Sequence, residues 1–198
     1  SVGVSESTVV RFAIELGFSG YPSLQKSLQE LIKNKLTTVQ RLDLSNDYIC
    51  NGYTLKGVLK ADMENIRATM EKINYSTFED VVNNIFEAKR IYIVGLRSSM
   101  ALAEFLGFYL NVILQNVKTV GYGISDIFEE MINVGEGDLV IGIGFPRYAN
   151  RTIDVLSFAQ DRGATVVALT DSIVSPLAQR ADYALIAQSN MASFVDSL

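Results

Sequence analysis

Residues 90–103, RIYIVGLRSSMALA, constrain the fold of this chain more than any other stretch. Four apolar residues, Ile91 to Val94, end at Gly95, and the hydroxyl pair Ser98 and Ser99 follows. An apolar run then resumes at helical spacing through Met100, Ala101, Leu102, Phe105, Leu106 and Tyr109. The pattern is that of a buried strand, a tight turn and a helix opened by two serines. The first N–H groups of a helix lack internal partners and lie at the positive end of its dipole. Beside two hydroxyls, such a turn can seat a phosphate or another anion. Ser98 is equally the kind of residue that caps a helix with no ligand present.

The same grammar repeats downstream. Strand patterns at 117–120, 138–143, 164–169 and 183–187 alternate with helix patterns at 126–134, 150–162 and 176–181. Such alternation predicts an α/β fold of three layers, a parallel sheet with helices on both faces. Ligands on these folds sit at the carboxyl ends of the strands, here residues 95–99, 144–152 and 170–175.

The beginning of the chain is of another kind. Ser5 stands as an N-cap, and Val9, Phe12, Ala13 and Leu16 follow at helical spacing. With Val9, Phe12 and Leu16 facing inward, Glu6, Ser7, Thr8 and Arg11 are left for the outer face. A short helix presenting hydroxyls and one arginine suits a DNA major groove, and it equally suits an ordinary capped surface helix. Gly17 to Pro22 break the chain, and Pro22 opens a second helix with Leu24, Leu28, Leu31 and Ile32 on one stripe. Ser19, Tyr21, Ser23 and Lys26 then cluster where a nucleic-acid backbone could pass. Residues 36–75 are polar and mixed, with a loop region at Thr37, Thr38, Asn46, Asp47, Asn51 and Gly52. Leu55, Val58, Leu59, Met63, Ile66, Met70 and Ile73 form a long amphipathic helix, either a connector or a surface for pairing. Ser76 to Glu79 has the form of a capping box opening the next helix, which puts the domain boundary near residue 75.

Composition narrows the chemistry. Among 198 residues there is no histidine, which removes the commonest general base and metal ligand and lowers the expectation of an enzyme. Cys50 is the single cysteine, so no internal disulfide forms, and the cytoplasm is the default location. The most apolar helix pattern, near 99–114, is interrupted by Glu104 and Asn111, so no membrane span is expected. Neither a dinucleotide fingerprint nor a P-loop is present, and no cofactor is expected. Charge is uneven. Residues 1–41 hold five basic and three acidic side chains, while the remainder hold 12 basic and 19 acidic. A mildly basic head on an acidic body is compatible with a regulator touching nucleic acid at one end.

At this point a resemblance becomes specific. GVSESTVVRFAIELGFSGYPSLQKSL resembles the DNA-binding region of the RpiR/MurR family of bacterial transcription regulators. GLRSSMALAEFLGFYL, GDLVIGIGFPRYANRT and GATVVALTDSIVSPLAQRADYAL resemble loops of that family's sugar isomerase (SIS) domain, which binds phosphorylated sugars. The resemblance implies a partial helix-turn-helix domain at 1–35, connector helices at 36–75 and an SIS domain at 76–198, with both ends of the chain incomplete. It implies a regulator with two partners, a DNA operator and a phosphorylated sugar or related anion, acting as a homodimer or homotetramer. The DNA contacts would be Ser5, Glu6, Ser7, Thr8, Arg11, Ser19, Tyr21 and Lys26. The ligand contacts would be Gly95, Arg97, Ser98, Ser99, Arg147, Tyr148, Thr152, Thr170 and Ser172. An SIS-type sugar-phosphate isomerase or binding protein is the alternative, and the missing histidine speaks against the isomerase. One departure stands out. Where such domains carry a hydroxyl cluster SxSGxT, this chain has Gly144, Pro146 and Ala149.

Overall fold

Successive side chains of a strand point to opposite faces, so a strand that is apolar throughout must be covered on both sides. A computed structural model describes residues 6–25, 28, 55–121 and 126–189. Among the described residues, five strands form one parallel sheet, β1 (Ile91–Gly95), β2 (Val117–Val120), β3 (Leu139–Ile143), β4 (Thr165–Thr170) and β5 (Tyr183–Ile186), and β1 and β3 are buried at every position. Their order is β2-β1-β3-β4-β5. The helices are α1 (Glu6–Glu15), α2 (Leu55–Lys72), α3 (Tyr75–Glu87), α4 (Ser99–Leu114), α5 (Ile127–Glu130) and α6 (Asn150–Asp161). The three-layer α/β/α expectation is met.

The pleat divides the core in two. Ile91, Ile93, Leu139, Ile141, Ile143 and Val167 pack with Val81 of α3 and Ala103 of α4. Tyr92, Val94, Val140, Val166 and Ala168 pack on the other side with Ile127 of α5 and Val155, Leu156 and Ala159 of α6. Register follows from this pattern, because a slip of one residue would turn both sets to the wrong face. Ile91 pairs with Val117 on one side and with Leu139 on the other, and Leu139 pairs with Thr165.

Several local expectations need correction. The helix after residue 73 is capped by Asn74, whose side chain accepts from the Thr77 N–H at 3.2 Å, so Ser76 lies inside the helix and forms no box. The reciprocal box belongs instead to Asp126 and Glu129. The helix expected at 126–134 stops at Glu130, because Met131, Ile132 and Val134 donate three residues back and tighten the chain toward Gly135. That expected at 176–181 is a single 3₁₀ turn, Ala178–Arg180. In α1, Ala13 is the buried residue, whereas Phe12 is 57% and Leu16 52% exposed. The small alanine sits where the chain doubles back, and its carbonyl accepts from Phe18 N–H at 3.0 Å. Residues 21–25 are helical, as the proline suggested, while Leu31, Ile32, Cys50 and the part of the polar stretch at 36–54 lie outside the described residues. The end of α2 is tied back to the sheet, with Thr69 Oγ1 accepting from Gln188 N–H at 2.8 Å and Lys72 Nζ donating to Gln188 Oε1 at 2.8 Å.

At the opposite end from the strand tips, one ion pair fixes the two central strands. Arg90, just before β1, donates through Nε to Asp138 Oδ1 at 3.0 Å and through Nη2 to Oδ2 at 2.6 Å. Asp138 precedes β3, its side chain is fully buried, and Oδ2 also accepts from Gly135 N–H at 3.0 Å. A two-pronged fork of this geometry orients as well as attracts. Asp138→Ala would leave these donors unmatched, at a cost of about 2–3 kcal/mol. For a chain of this size that lowers the melting temperature by about 4–10 °C, measurable by calorimetry.

Candidate functional site

From β1 the chain runs to β2 on one side and then crosses back past β1 to β3. Crossovers in opposite senses leave a crevice at the carboxyl ends of the two strands between them. The loops leaving β1 and β3 open into that crevice and line a cavity of about 220 Å³. This is below the usual range for small-molecule sites, roughly 300–1,000 Å³, so it suits a small ligand.

The first wall is Leu96, Arg97, Ser98 and Ser99. It stands close because Gly95 has no side chain: a Cβ there would strike the Ser99 carbonyl and lie 3.0 Å from Ala103 Cβ. Ser98 takes the cap position of α4 with helical angles, φ −61° and ψ −33°, and makes no side-chain cap hydrogen bond. The capping alternative therefore does not describe it. Ser99 begins the helix and is buried.

The second wall runs from Ile143 to Arg147 and includes Ala149 and Thr152. A Cβ on Gly144 would lie 2.6 Å from Leu177 Cδ2, and Leu177 is fully buried. The hydroxyl missing at this position is thus replaced by apolar packing from beyond β4. Both arginines of the cavity hold left-handed backbone, Arg97 with φ 58° and Arg147 with φ 70°. Such angles are uncommon away from glycine and cost about 1–3 kcal/mol each.

The cavity therefore gathers Arg97, Ser98, Ser99, Arg147 and Thr152 from two separate loops, with Gly95 beneath them. Tyr148, Thr170 and Ser172 lie outside its lining. Tyr148 Oη donates to Asp171 Oδ1 at 2.7 Å, and the buried Thr170 Oγ1 donates to the same oxygen at 3.2 Å. Ser172 Oγ accepts from Val174 N–H at 3.4 Å. Asp171 and Leu177 were not read as site residues from sequence, since only the fold brings them to Tyr148 and Gly144. Among the described residues, no carboxylate, histidine or cysteine lines the cavity. Among the described residues no cluster suited to a metal ion occurs. No helix among them is long and apolar enough to cross a membrane.

In the N-terminal part, Ser7, Thr8 and Arg11 lie on the exposed side of α1, and Ser19 and Tyr21 are also exposed. Ser5, Lys26 and the side chain of Glu6 lie outside the described residues.

Residues 84–198 match the family model for the SIS domain. The sugar isomerase domain of an RpiR transcription factor from Sphaerobacter thermophilus has a TM-score of 0.66 and 33% identity, covering 70% of this chain and 77% of that one. The chain belongs to the RpiR family of SIS-domain proteins. It is 28% identical over 188 residues to the HTH-type transcriptional regulator HexR of Escherichia coli, covering 92% of this chain and 62% of HexR. The Vibrio vulnificus NanR protein, complexed with ManNAc-6P, has the same fold, with a TM-score of 0.60 at 20% identity over 93% of this chain and 64% of that one. The chain spans less than two thirds of the first curated relatives it matches, between 62% and 65% of their lengths.

Beside this SIS cavity, Asp126 links two elements. It caps α5 by accepting from Phe128 N–H at 3.0 Å, and it pairs with Arg151 in the first turn of α6 at 2.6 Å. The Phe128 bond first, then Arg151, hold its carboxyl below the usual carboxylate range. A carboxyl lowered on folding stabilises the fold at pH values above its unfolded value near 4, and that contribution fades as pH falls through the lower folded value. Wild type should therefore melt above Asp126→Asn at pH 7, and the gap should close on acidification below the carboxylate range. Thermal melts across pH check this.

Proposed function

We propose that this chain is part of a DNA-binding transcription regulator whose SIS domain senses a phosphorylated sugar or related anionic metabolite. The observation that carries this reading is the cavity at the strand tips. Two arginines and two serines line it around the start of α4, with no acidic side chain among the described residues of the lining. Guanidinium groups take phosphate or carboxylate oxygens in a planar fork, and the first turn of a helix adds the positive end of its dipole. Under this reading Arg97, Ser98, Ser99, Arg147 and Thr152 grip the anion. Tyr148, Thr170 and Ser172, joined through Asp171 or its neighbours, shape the adjoining rim. NanR, the relative of the same fold, is complexed with ManNAc-6P.

The cavity binds rather than isomerises. Moving a proton between sugar carbons needs a positioned acid and base, and among the described residues of the lining none is a carboxylate or histidine. At the other end, α1 presents Ser7, Thr8 and Arg11 outward in the manner of a recognition helix, with Ser19 and Tyr21 beside the backbone of the operator. Such a regulator works in the cytoplasm, on operator DNA.

Two measurements test the reading. The full-length protein should gain about 5–10 °C in melting temperature from a cognate sugar phosphate at about 100 times its dissociation constant, and nothing from the unphosphorylated sugar. Arg97→Gly should abolish most of that gain while the ligand-free melting point holds, because glycine relieves the left-handed backbone as the guanidinium is lost. A screen in which no phosphorylated or acidic sugar raises the melting point would remove the ligand half of the proposal. Arg11→Ala should weaken binding to the operator about 10-fold or more, read by footprinting on genomic sites bound by wild type. Unchanged protection would remove the DNA half.

A further inference from the structure

The polar groups around Asp171 reach from the cavity loop to a helix outside it. Tyr148 Oη donates to Asp171 Oδ1 at 2.7 Å, and Tyr148 adjoins Arg147 of the cavity lining. From the other side, Gln188 Nε2 donates to the Asp171 main-chain oxygen at 3.5 Å, and Ala187 N–H donates to the Thr170 oxygen at 2.8 Å. Gln188 in turn holds the last turns of α2. Its N–H donates to Thr69 Oγ1 and its Oε1 accepts from Lys72 Nζ, each at 2.8 Å. Thr69 Oγ1 gives its own proton to the Asn65 carbonyl at 2.8 Å, which leaves its lone pairs to accept from Gln188.

These neighbours require an amide at residue 188. A lysine only donates and a main-chain carbonyl only accepts, so one side chain must do both. Glutamate would answer Lys72 but not the carbonyl, and a cationic side chain would answer the carbonyl but not Lys72. The helix it meets is weakly anchored otherwise. Among the described side chains of α2 none is buried, and Leu55, Met63, Ile66 and Met70 are 63–74% exposed. In chain order α2 stands between α1 and the sheet that bears the cavity.

We propose that Asp171 and Gln188 are positioning residues that couple the loop after β3 to the end of α2, so that the occupant of the cavity sets how firmly α2 is held. The occupant rests on the anion reading above, whereas the coupling from Tyr148 to α2 does not. An anion drawn to Arg147 moves the loop that carries Tyr148. Tyr148 holds the side chain of Asp171, and the main chain of Asp171 meets Gln188. Contiguous hydrogen bonds of this kind carry coupling between separate sites.

Amide hydrogen exchange on the full-length protein, read by mass spectrometry, tests the coupling in two arms. The first uses no anion. Tyr148→Phe should quicken exchange in residues 66–72 about 3-fold or more, while residues 102–114 of α4 keep the wild-type rate. Gln188→Glu loses the donor to the Asp171 oxygen and keeps the acceptor for Lys72. In that background Tyr148→Phe should change residues 66–72 by less than about 1.5-fold. Should Gln188→Glu fail to fold, Thr69→Val, which removes the acceptor of the Gln188 N–H, takes its place. The second arm adds inorganic phosphate at tens of millimolar, against chloride at equal ionic strength. Exchange at residues 97–100 and 66–72 should slow together in wild type, and only at 97–100 in Gln188→Glu. Unchanged exchange at 66–72 in Tyr148→Phe would overturn the coupling, as would an effect of equal size in the Gln188→Glu background. Phosphate that slows 97–100 but not 66–72 in wild type would overturn it too. Phosphate that slows neither would instead count against the anion site, and the first arm alone would then decide the coupling.

Discussion

The close approach of α4 to the tip of β1 is the constraint on which the rest of this structure depends. It exists because Gly95 has no side chain to hold the helix off, with the Ser99 carbonyl standing where a Cβ would be. The consequence is geometric. The first turn of α4 is delivered to the switch point between β1 and β3, beside the loop leaving β3. Helix N-termini favour anions only within their first turn, so a helix displaced by one side chain's thickness would present its dipole to bulk water instead. A backbone requirement at one residue thus decides where charge can be bound.

The opposite ends of the same strands carry the complementary device. Arg90 and Asp138 clamp the starts of β1 and β3, with the carboxylate buried and the guanidinium half-exposed. A buried ion pair adds little net stability compared with good apolar packing. Its geometric value is larger, because the fork allows one relative position of the two strands. Clamped at the starts, β1 and β3 hold their tips, and therefore both cavity loops, at a fixed separation.

Strand existence, strand order of appearance and the two loops of the site were legible in the sequence. Four-residue apolar runs ending at glycine or polar turns have few other readings. Helix ends were less so. Asn74 displaced Ser76 as a cap, and the helix after Asp126 ended early, because both outcomes depend on backbone hydrogen bonds that compete over one or two residues. In α1 the spacing placed Phe12 and Leu16 inside, whereas Ala13 is the buried residue. Periodicity gives the direction of a face but not what covers it. Arg97, Ser98, Ser99, Arg147 and Thr152 line one cavity, since each lies close to a strand tip. Leu177 and Asp171 were invisible for the converse reason. Leu177 fills the space beside Gly144, and Asp171 takes the Tyr148 hydroxyl, through contacts that exist only after β4 is laid beside β3.

The two left-handed arginines bear on how such a site is maintained. A domain is stabilised by about 5–15 kcal/mol in all, and two residues in that conformation take up an appreciable part of it. Glycine would serve the backbone better at both positions and would carry no charge. Arginine at both positions carries that backbone cost together with its guanidinium, and both lie on the two loops that line the cavity. α4 then connects two places on the molecule: its first turn lines the same cavity as those arginines, and further along it carries an exposed apolar stripe from Phe105 to Ile113. A packed helix moves as a unit, and interfaces shift between discrete arrangements rather than deforming continuously. An anion that draws the first turn of α4 toward Arg97 and Arg147 would therefore be felt along the stripe from Phe105 to Ile113. The coupling free energies typical of such linkage, about 1–3 kcal/mol, need only a small difference in how that stripe packs with and without the anion.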